Sequence, residues 1–262
     1  MPGTNYHAHT TRCHHAIGTE EEYVQAAIRE GFDTLGFSDH GPFPYRDGYV
    51  SGVRMTWEEM PGYLSVIRQL KEQYSGRIAL HCGMEYEYCP EFLQDQRELL
   101  EEKKIDYMIL GNHYDLDERT GMYFGRCLTP GHIARYVKTS IEGMETGLFS
   151  YFAHPDLYLN SYPVFDKAAE DAALKLCACA KALGLPLEYN LLGLKKQASG
   201  VPGLGYPAEG FWQIAAETGC AAILGIDAHA PSMFSREEYD RAAAALDTLG
   251  LRRVDTLRLS ES

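Results

Sequence analysis

Asp106-Tyr107-Met108-Ile109-Leu110-Gly111-Asn112 is an apolar run of the length of one strand, and His113 stands directly after it. Comparable runs recur near 4–9, 33–38, 78–85, 150–154, 186–190 and 221–227, with amphipathic helical stretches between them. Seven such strand–helix pairs predict a parallel α/β sheet or barrel, because a helix supplies the crossover that parallel strands need.

The helix starts are well marked. Thr19 with Glu22 and Ser235 with Glu238 spell the capping box, in which each side chain satisfies an orphan N–H at a helix start. Thr56 with Glu59 is a third candidate, although Pro61 also suits a first helical turn. Over 167–183, Ala169, Ala172, Ala173, Leu176, Ala180 and Leu183 form one apolar stripe that should lie on the sheet, and Gly184 supplies a left-handed stop. Tyr63, Ile67, Leu70 and Tyr74 do the same in the second helix. The tail from Leu251 to Ser262 alternates near Val254, Leu257 and Leu259, and reads as an edge strand or a disordered end.

With 262 residues, 45% of them apolar, and no repeat or Pro/Ser-rich linker, the chain reads as a single domain over 1–262, its tail from about 251 set apart. Its 24 basic against 37 acidic residues give a net charge of -13, which repels a polyanion and argues against a nucleic-acid partner. Seven cysteines, an odd number without a CxxC pair, argue against a disulfide framework and for the reducing cytoplasm. Cys177 and Cys179 sit two apart on a helix and so face different ways. The chain opens without a charged segment followed by an apolar one and has no run of about eighteen apolar residues, so neither export nor membrane insertion is expected.

The chemistry gathers at the strand ends. The first strand ends in His7-Ala8-His9, and residues two apart on a strand point to one side, where they can grip one cation together. His15 follows in the loop after Cys13 and His14. Later ends carry Asp39-His40, Glu85, Asn112-His113, His154 and Asp227-Ala228-His229, so six of the seven strands bring a nitrogen or carboxylate ligand to one rim. A single histidine after a strand is more often packed or exposed than a ligand. Here seven of ten histidines fall at or just beyond strand ends, which random placement does not produce. The plain reading stands for His81, at the far rim, and for His132, at a helix start; spacing alone leaves His14 and His15 in competition.

These residues resemble a known family. His7-Ala8-His9-Thr10, Cys13-His14-His15, Ser38-Asp39-His40-Gly41-Pro42, Gly83-Met84-Glu85, Asn112-His113-Tyr114, His154-Pro155-Asp156 and Asp227-Ala228-His229 are similar, in order and over nearly the whole chain, to the motifs of the polymerase-and-histidinol-phosphatase (PHP) superfamily. Within it the resemblance is to the histidinol-phosphate phosphatases. It implies a distorted TIM-like (βα)7 barrel of PHP type, cytoplasmic, holding three divalent metal ions (zinc, iron or manganese) and acting as a phosphomonoesterase on L-histidinol phosphate in histidine biosynthesis. His7, His9, Glu85 and Asp227 would hold the first ion, Glu85 would bridge to a second held by His113 and His154, and His15, His40 and His229 would hold the third. His15 is chosen over His14 because Cys13-His14-His15-Ala16 aligns with the family's Cys-Pro-His-Gly.

The resemblance gives Glu85 and Asp227 the catalytic task of placing a bridged water. Asp39 and Asp156, each beside a proposed ligand, would orient an imidazole, with Asp39 a candidate to move the leaving-group proton. At the sixth strand, Leu187-Glu188-Tyr189-Asn190 and the following Gly193-Leu194-Lys195-Lys196 resemble the family's substrate segment, with Lys195 where the family carries a phosphate-binding Arg. After His154-Pro155-Asp156-Leu157 a second family Arg is replaced by Tyr158-Leu159-Asn160, and Arg54 is a candidate to compensate. The substrate contacts expected are Lys195, Asn190 and Arg54, and the partner is a small phosphorylated molecule. The alternatives are another small phosphate monoester and a non-catalytic metal-binding barrel.

Overall fold

The computed structural model describes residues 2–102, 104–257 and 259. Eight parallel strands pair in chain order: β1 (Thr4–Asn5), β2 (Thr34–His40), β3 (Ala79–Tyr86), β4 (Tyr107–Leu110), β5 (Tyr151–Phe152), β6 (Leu187–Asn190), β7 (Ala221–Gly225) and β8 (Arg252–Arg253). Eight helices cover them: α1 (Glu20–Arg29), α2 (Met60–Gln73), α3 (Leu93–Glu101), α4 (Pro130–Glu145), α5 (Lys167–Leu183), α6 (Leu191–Ser199), α7 (Glu209–Thr218) and α8 (Arg236–Thr248). β2, β4 and β7 are buried along their whole length, as strands covered on both faces must be.

The two strand faces feed different apolar clusters. On β4, Met108 and Leu110 join the large cluster under the helices, while Tyr107 and Ile109 pack with Tyr6, Tyr151, Ala153 and Ile223 on the opposite face. The Tyr107 hydroxyl donates to the carbonyls of Tyr6 (2.8 Å) and Phe37 (3.0 Å), tying β4 to the first two strand regions.

The sheet curls until its first and seventh strands meet at the C-terminal rim. Ala8 bridges to Ala228, His9 N donates to Ala228 O (2.9 Å), and Ala228 N donates to His7 O (3.1 Å). The α/β barrel-like expectation holds, but the described residues form eight strands rather than seven. The added strand, β8, pairs with the foot of β7 through Ala221–Arg252 and Ala222–Arg253. It realises the edge-strand reading of the tail, at Arg252–Arg253 and not at the alternating Val254, Leu257 and Leu259; Arg258 and residues 260–262 of that tail lie outside the described residues.

β1 is shorter than the run 4–9. The Asn5 side chain replaces ladder bonds there, donating to His7 O (3.0 Å) and accepting from Ile226 N (2.8 Å), and so frees the backbone to turn before the His7–His9 pair. Thr19 and Glu22 form the reciprocal capping box of α1. Ser235 caps α8, but the Glu238 carboxylate turns to Lys195 Nζ at 2.6 Å instead of closing its box. Thr56 and Glu59 exchange both bonds one turn ahead of α2. Of the α5 stripe only Leu183 is exposed, and Gly184 takes the left-handed φ of 67°.

Candidate metal centre

His7 and His9 reach one point from the turn after β1, their Nε2 atoms 3.2 Å apart. That is hydrogen-bond distance, and it is equally the spacing of two nitrogens that share one cation. Glu85 Oε2 lies 3.4 Å from His7 Nε2 and 3.6 Å from His9 Nε2, and Asp227 Oδ1 lies 3.5 and 3.1 Å from the same two atoms. A tetrahedral ion with ligands at 2.0–2.1 Å needs ligand atoms about 3.3 Å apart, and each of these five spacings suits two ligands of one divalent cation. The same two carboxylate oxygens, Glu85 Oε2 and Asp227 Oδ1, are buried without a hydrogen-bond partner, which is the signature of a group built for an ion.

Glu85 also faces the other way. Its Oε1 lies 2.9 Å from His154 Nε2 and 3.5 Å from His113 Nε2, while His40 Nδ1 stands 3.1 Å from Oε2. His9, His40 and His229 can bring ligand atoms within 4.8 Å of one another, as can Cys13, His15 and His229. The His15 ring lies 4.9 Å from that of His229 and 5.4 Å from that of His40. All nine residues expected as ligands therefore meet at one mouth, while exposed His14, His81 beside Asp106 (3.8 Å) and His132 in the first turn of α4 stay outside it.

The ring tautomers are set from outside the cluster. His7 Nδ1 meets Glu188 Oε1 (2.8 Å), His9 Nδ1 meets Asp39 Oδ1 (3.3 Å), and His113 Nδ1 meets Glu87 Oε1 (2.9 Å). His15 Nδ1 and His229 Nδ1 meet the carbonyls of Cys13 (2.6 Å) and Asp227 (3.0 Å). With the proton held on Nδ1, each of these five rings presents an Nε2 lone pair to the mouth, the form that binds metal. Burial opposes ionisation of Glu85, but the imidazoles of His113, His7 and His40 outweigh it and hold the carboxyl well below its usual range. Burial likewise works against Asp227, and His7 and His9 reverse it.

Two features of the backbone serve the centre. His154 and Asp227 adopt left-handed φ values of 32° and 55°, strained for non-glycine residues and found where function over-determines the chain. A Cβ at Gly111 would run into the Glu85 carboxylate, and one at Gly225 into Glu188. Gly111→Ala is therefore expected to push Glu85 aside and lower kcat by about a hundredfold, the effect of an ångström of misplacement. Near-normal kcat with unchanged circular dichroism would refute this.

Other expected residues sit differently from their anticipated roles. Asp156 orients no imidazole: its Oδ2 accepts from Ala208 N (2.7 Å) and Trp212 Nε1 (3.2 Å), and burial pushes its carboxyl up to about 7. Asp39 is fully buried, holding His9, the His40 N–H and the Thr10 hydroxyl, so it is placed to orient and not to shuttle a proton to a ligand in the cavity. Asn190 donates to Glu188 (2.9 Å) and Asp227 (3.2 Å) and accepts from Gly193 N (2.8 Å), which leaves it steadying Asp227. Lys195 is drawn to Glu238, away from the mouth, whereas its neighbour Lys196 lines it. Arg54 lines the mouth too, but its guanidinium is bound to Glu87, Glu118 and Gly41 O.

Glu87 was not expected, and Glu188 was expected only as part of the sixth-strand substrate segment, not as a partner of His7. Each is a carboxylate two residues from a site residue on the same strand run, Glu85 and Asn190 respectively, and that spacing was the available signal. The cavity above the cluster measures about 520 Å³ and is walled by Tyr114, Tyr123, Leu157, Leu192 and Tyr206 besides the groups already named.

The chain is similar to known proteins. The family model described as PHP domain matches residues 5–191. A "probable histidinol-phosphatase" of Deinococcus radiodurans is 32% identical over 237 residues, 86% of this chain and 85% of its own. A histidinol-phosphatase of Bacillus subtilis is 25% identical over 252 residues, 85% of this chain and 92% of its own. A crystal structure of histidinol phosphate phosphatase from Lactococcus lactis, complexed with zinc, L-histidinol and phosphate, superposes with a TM-score of 0.75 at 17% identity, covering 99% of both chains. With a family match over most of its length and a relative this similar end to end, the chain belongs to the PHP domain family.

Proposed function

We propose that this chain is a metal-dependent phosphomonoesterase that hydrolyses L-histidinol phosphate to histidinol and phosphate. The observation that carries this is the double engagement of Glu85, whose two oxygens face His7, His9 and His40 on one side and His113 and His154 on the other, at the floor of a cavity. Divalent ions sharing such a carboxylate supply hydroxide near neutral pH and neutralise charge on the phosphoryl oxygens. The proposed count is three, with His15, His40 and His229 holding the ion beyond the Glu85 pair, and zinc is the species carried by the Lactococcus lactis structure. The relatives named histidinol-phosphatase support the substrate.

The protein's own part is placement. Glu85 and Asp227 would fix the reacting groups, while Glu188, Asp39 and Glu87 lock the rings beside them. The Tyr114, Tyr123 and Tyr206 walls limit water around the ester and give its alcohol part an aromatic lining. Lys196 is placed to meet the phosphate that the family's missing arginines would have held. Seven cysteines without a disulfide among the described residues support a reducing compartment, the cytoplasm. No helix among the described residues is long and apolar enough to cross a membrane.

Metal content by elemental analysis, paired with turnover of p-nitrophenyl phosphate and L-histidinol phosphate, tests the reading. Activity on the first substrate alone would redirect it to another small monoester, and a metal-loaded protein inert on both would make the barrel non-catalytic. Lys196→Met is expected to raise KM about ten- to hundredfold, the worth of one charge-assisted phosphate contact of about 1.5–3 kcal/mol, and Lys195→Met to leave it unchanged. The reverse pattern would return the phosphate contact to Lys195.

A further inference from the structure

Arg54 reaches the cavity wall from the loop after β2, yet it spends its guanidinium on the protein. Nη2 donates to Glu87 Oε2 at 2.9 Å, Nε donates to both oxygens of Glu118 at 3.1 Å, and Nη1 donates to Gly41 O at 3.0 Å. Its flat face lies 4.4 Å from the centroid of the Phe43 ring. The residue is 1% exposed. A substrate phosphate would have to compete with two buried carboxylates for it.

Glu87 carries the connection onward. Its second oxygen, Oε1, meets His113 Nδ1 at 2.9 Å, and His113 Nε2 in turn faces Glu85 Oε1 at 3.5 Å. An unbroken line thus runs from Arg54 through Glu87 to the ring that shares Glu85 with His154. Glu85 and Glu87 are buried carboxylates two residues apart, and such a pair is tolerated only with a cation beside it. The planar fork engages Glu87 and Glu118 at once, a geometry that a lysine point charge cannot copy.

We infer that Arg54 is a positioning residue for the ion held by Glu85, His113 and His154: through Glu87 it locks the His113 ring with Nε2 turned inward. A carboxylate that holds a ligating ring, as Glu87 would hold His113, sets metal affinity by roughly 10–100-fold, and Arg54 acts through it. The inference rests on the metal-dependent reading above, and its test separates the two.

Metal-loaded protein is titrated with a chelator and the equivalents retained are counted, alongside thermal melting. Glu87→Gln and Arg54→Lys are expected to release one equivalent at about tenfold or more lower chelator concentration than wild type. Glu118→Gln, which loosens the hold between the two loops but leaves Glu87 on His113, is expected to retain metal like wild type even where its melting point falls. Wild-type retention in Arg54→Lys or in Glu87→Gln overturns the inference, as does equal loss in Glu118→Gln, since Arg54 would then be a loop clamp alone. If Arg54→Lys fails to fold, Arg54→Gln, which keeps a donor toward Glu87 without the charge, is read in its place by the same two outcomes. A wild-type protein that holds no metal sinks the functional reading itself, and this assignment with it.

Discussion

Glu85→Gln is expected to lower kcat by at least about a thousandfold and to strip ions from both sides of the cluster, with the fold retained. Altering a group one bond removed from a metal costs about 10–100-fold, and Glu85 would touch two ions directly, so its loss must exceed that range. The glutamine keeps the shape but offers one ligating oxygen in place of two and removes the negative charge on which five imidazoles converge. The fold survives because Oε2 has no hydrogen-bond partner in the protein, so the substitution strands no donor there. The measurement is kcat for p-nitrophenyl phosphate together with metal equivalents and a circular dichroism spectrum. A variant with a tenth of wild-type kcat and full metal content would show that Glu85 does not bridge.

Much of this centre was legible because metal ligation constrains residue type as well as position. Imidazole and carboxylate at the ends of six strands are conspicuous in a linear sequence, and parallel strands in chain order bring those ends together once the barrel is inferred. What supports the ligands was less visible. Glu87 and Glu188 look like ordinary strand carboxylates until the fold shows them buried against His113 and His7. The direction of a surface side chain was beyond reach as well: Lys195 and Lys196 are neighbours, and only the α6–α8 contact, with Glu238 drawing Lys195 outward, separates their roles. The left-handed φ at His154 and Asp227 has no sequence signal, since neither is glycine. For β8 the tail did signal an edge strand, but not its place, because Arg252 and Arg253 pair through backbone groups that any residue carries.

Stripping the bound ions with a chelator should lower the melting temperature by about 8–16 °C for each ion that had been present at a thousand times its dissociation constant. An ion that binds only the folded chain adds about 4.1 kcal/mol at that excess, and a domain of this size melts about 2–4 °C lower per kcal/mol lost. The structure gives reasons for the dependence to be of this order. Glu85 and Asp227 are 1% and 5% exposed, and each has one buried oxygen that accepts no hydrogen bond and faces imidazole nitrogens. Left-handed backbone at His154 and Asp227 adds about 1–3 kcal/mol of strain apiece, which ligation offsets in the loaded protein. Scanning calorimetry of dialysed, chelated and reconstituted protein measures the shift, and the Glu85→Gln variant serves as the control because its shift should shrink. If chelation removes the metal and the melting point moves by less than about 2 °C, the imidazole–carboxylate network is holding itself together. The orphaned oxygens would then need another explanation than an ion.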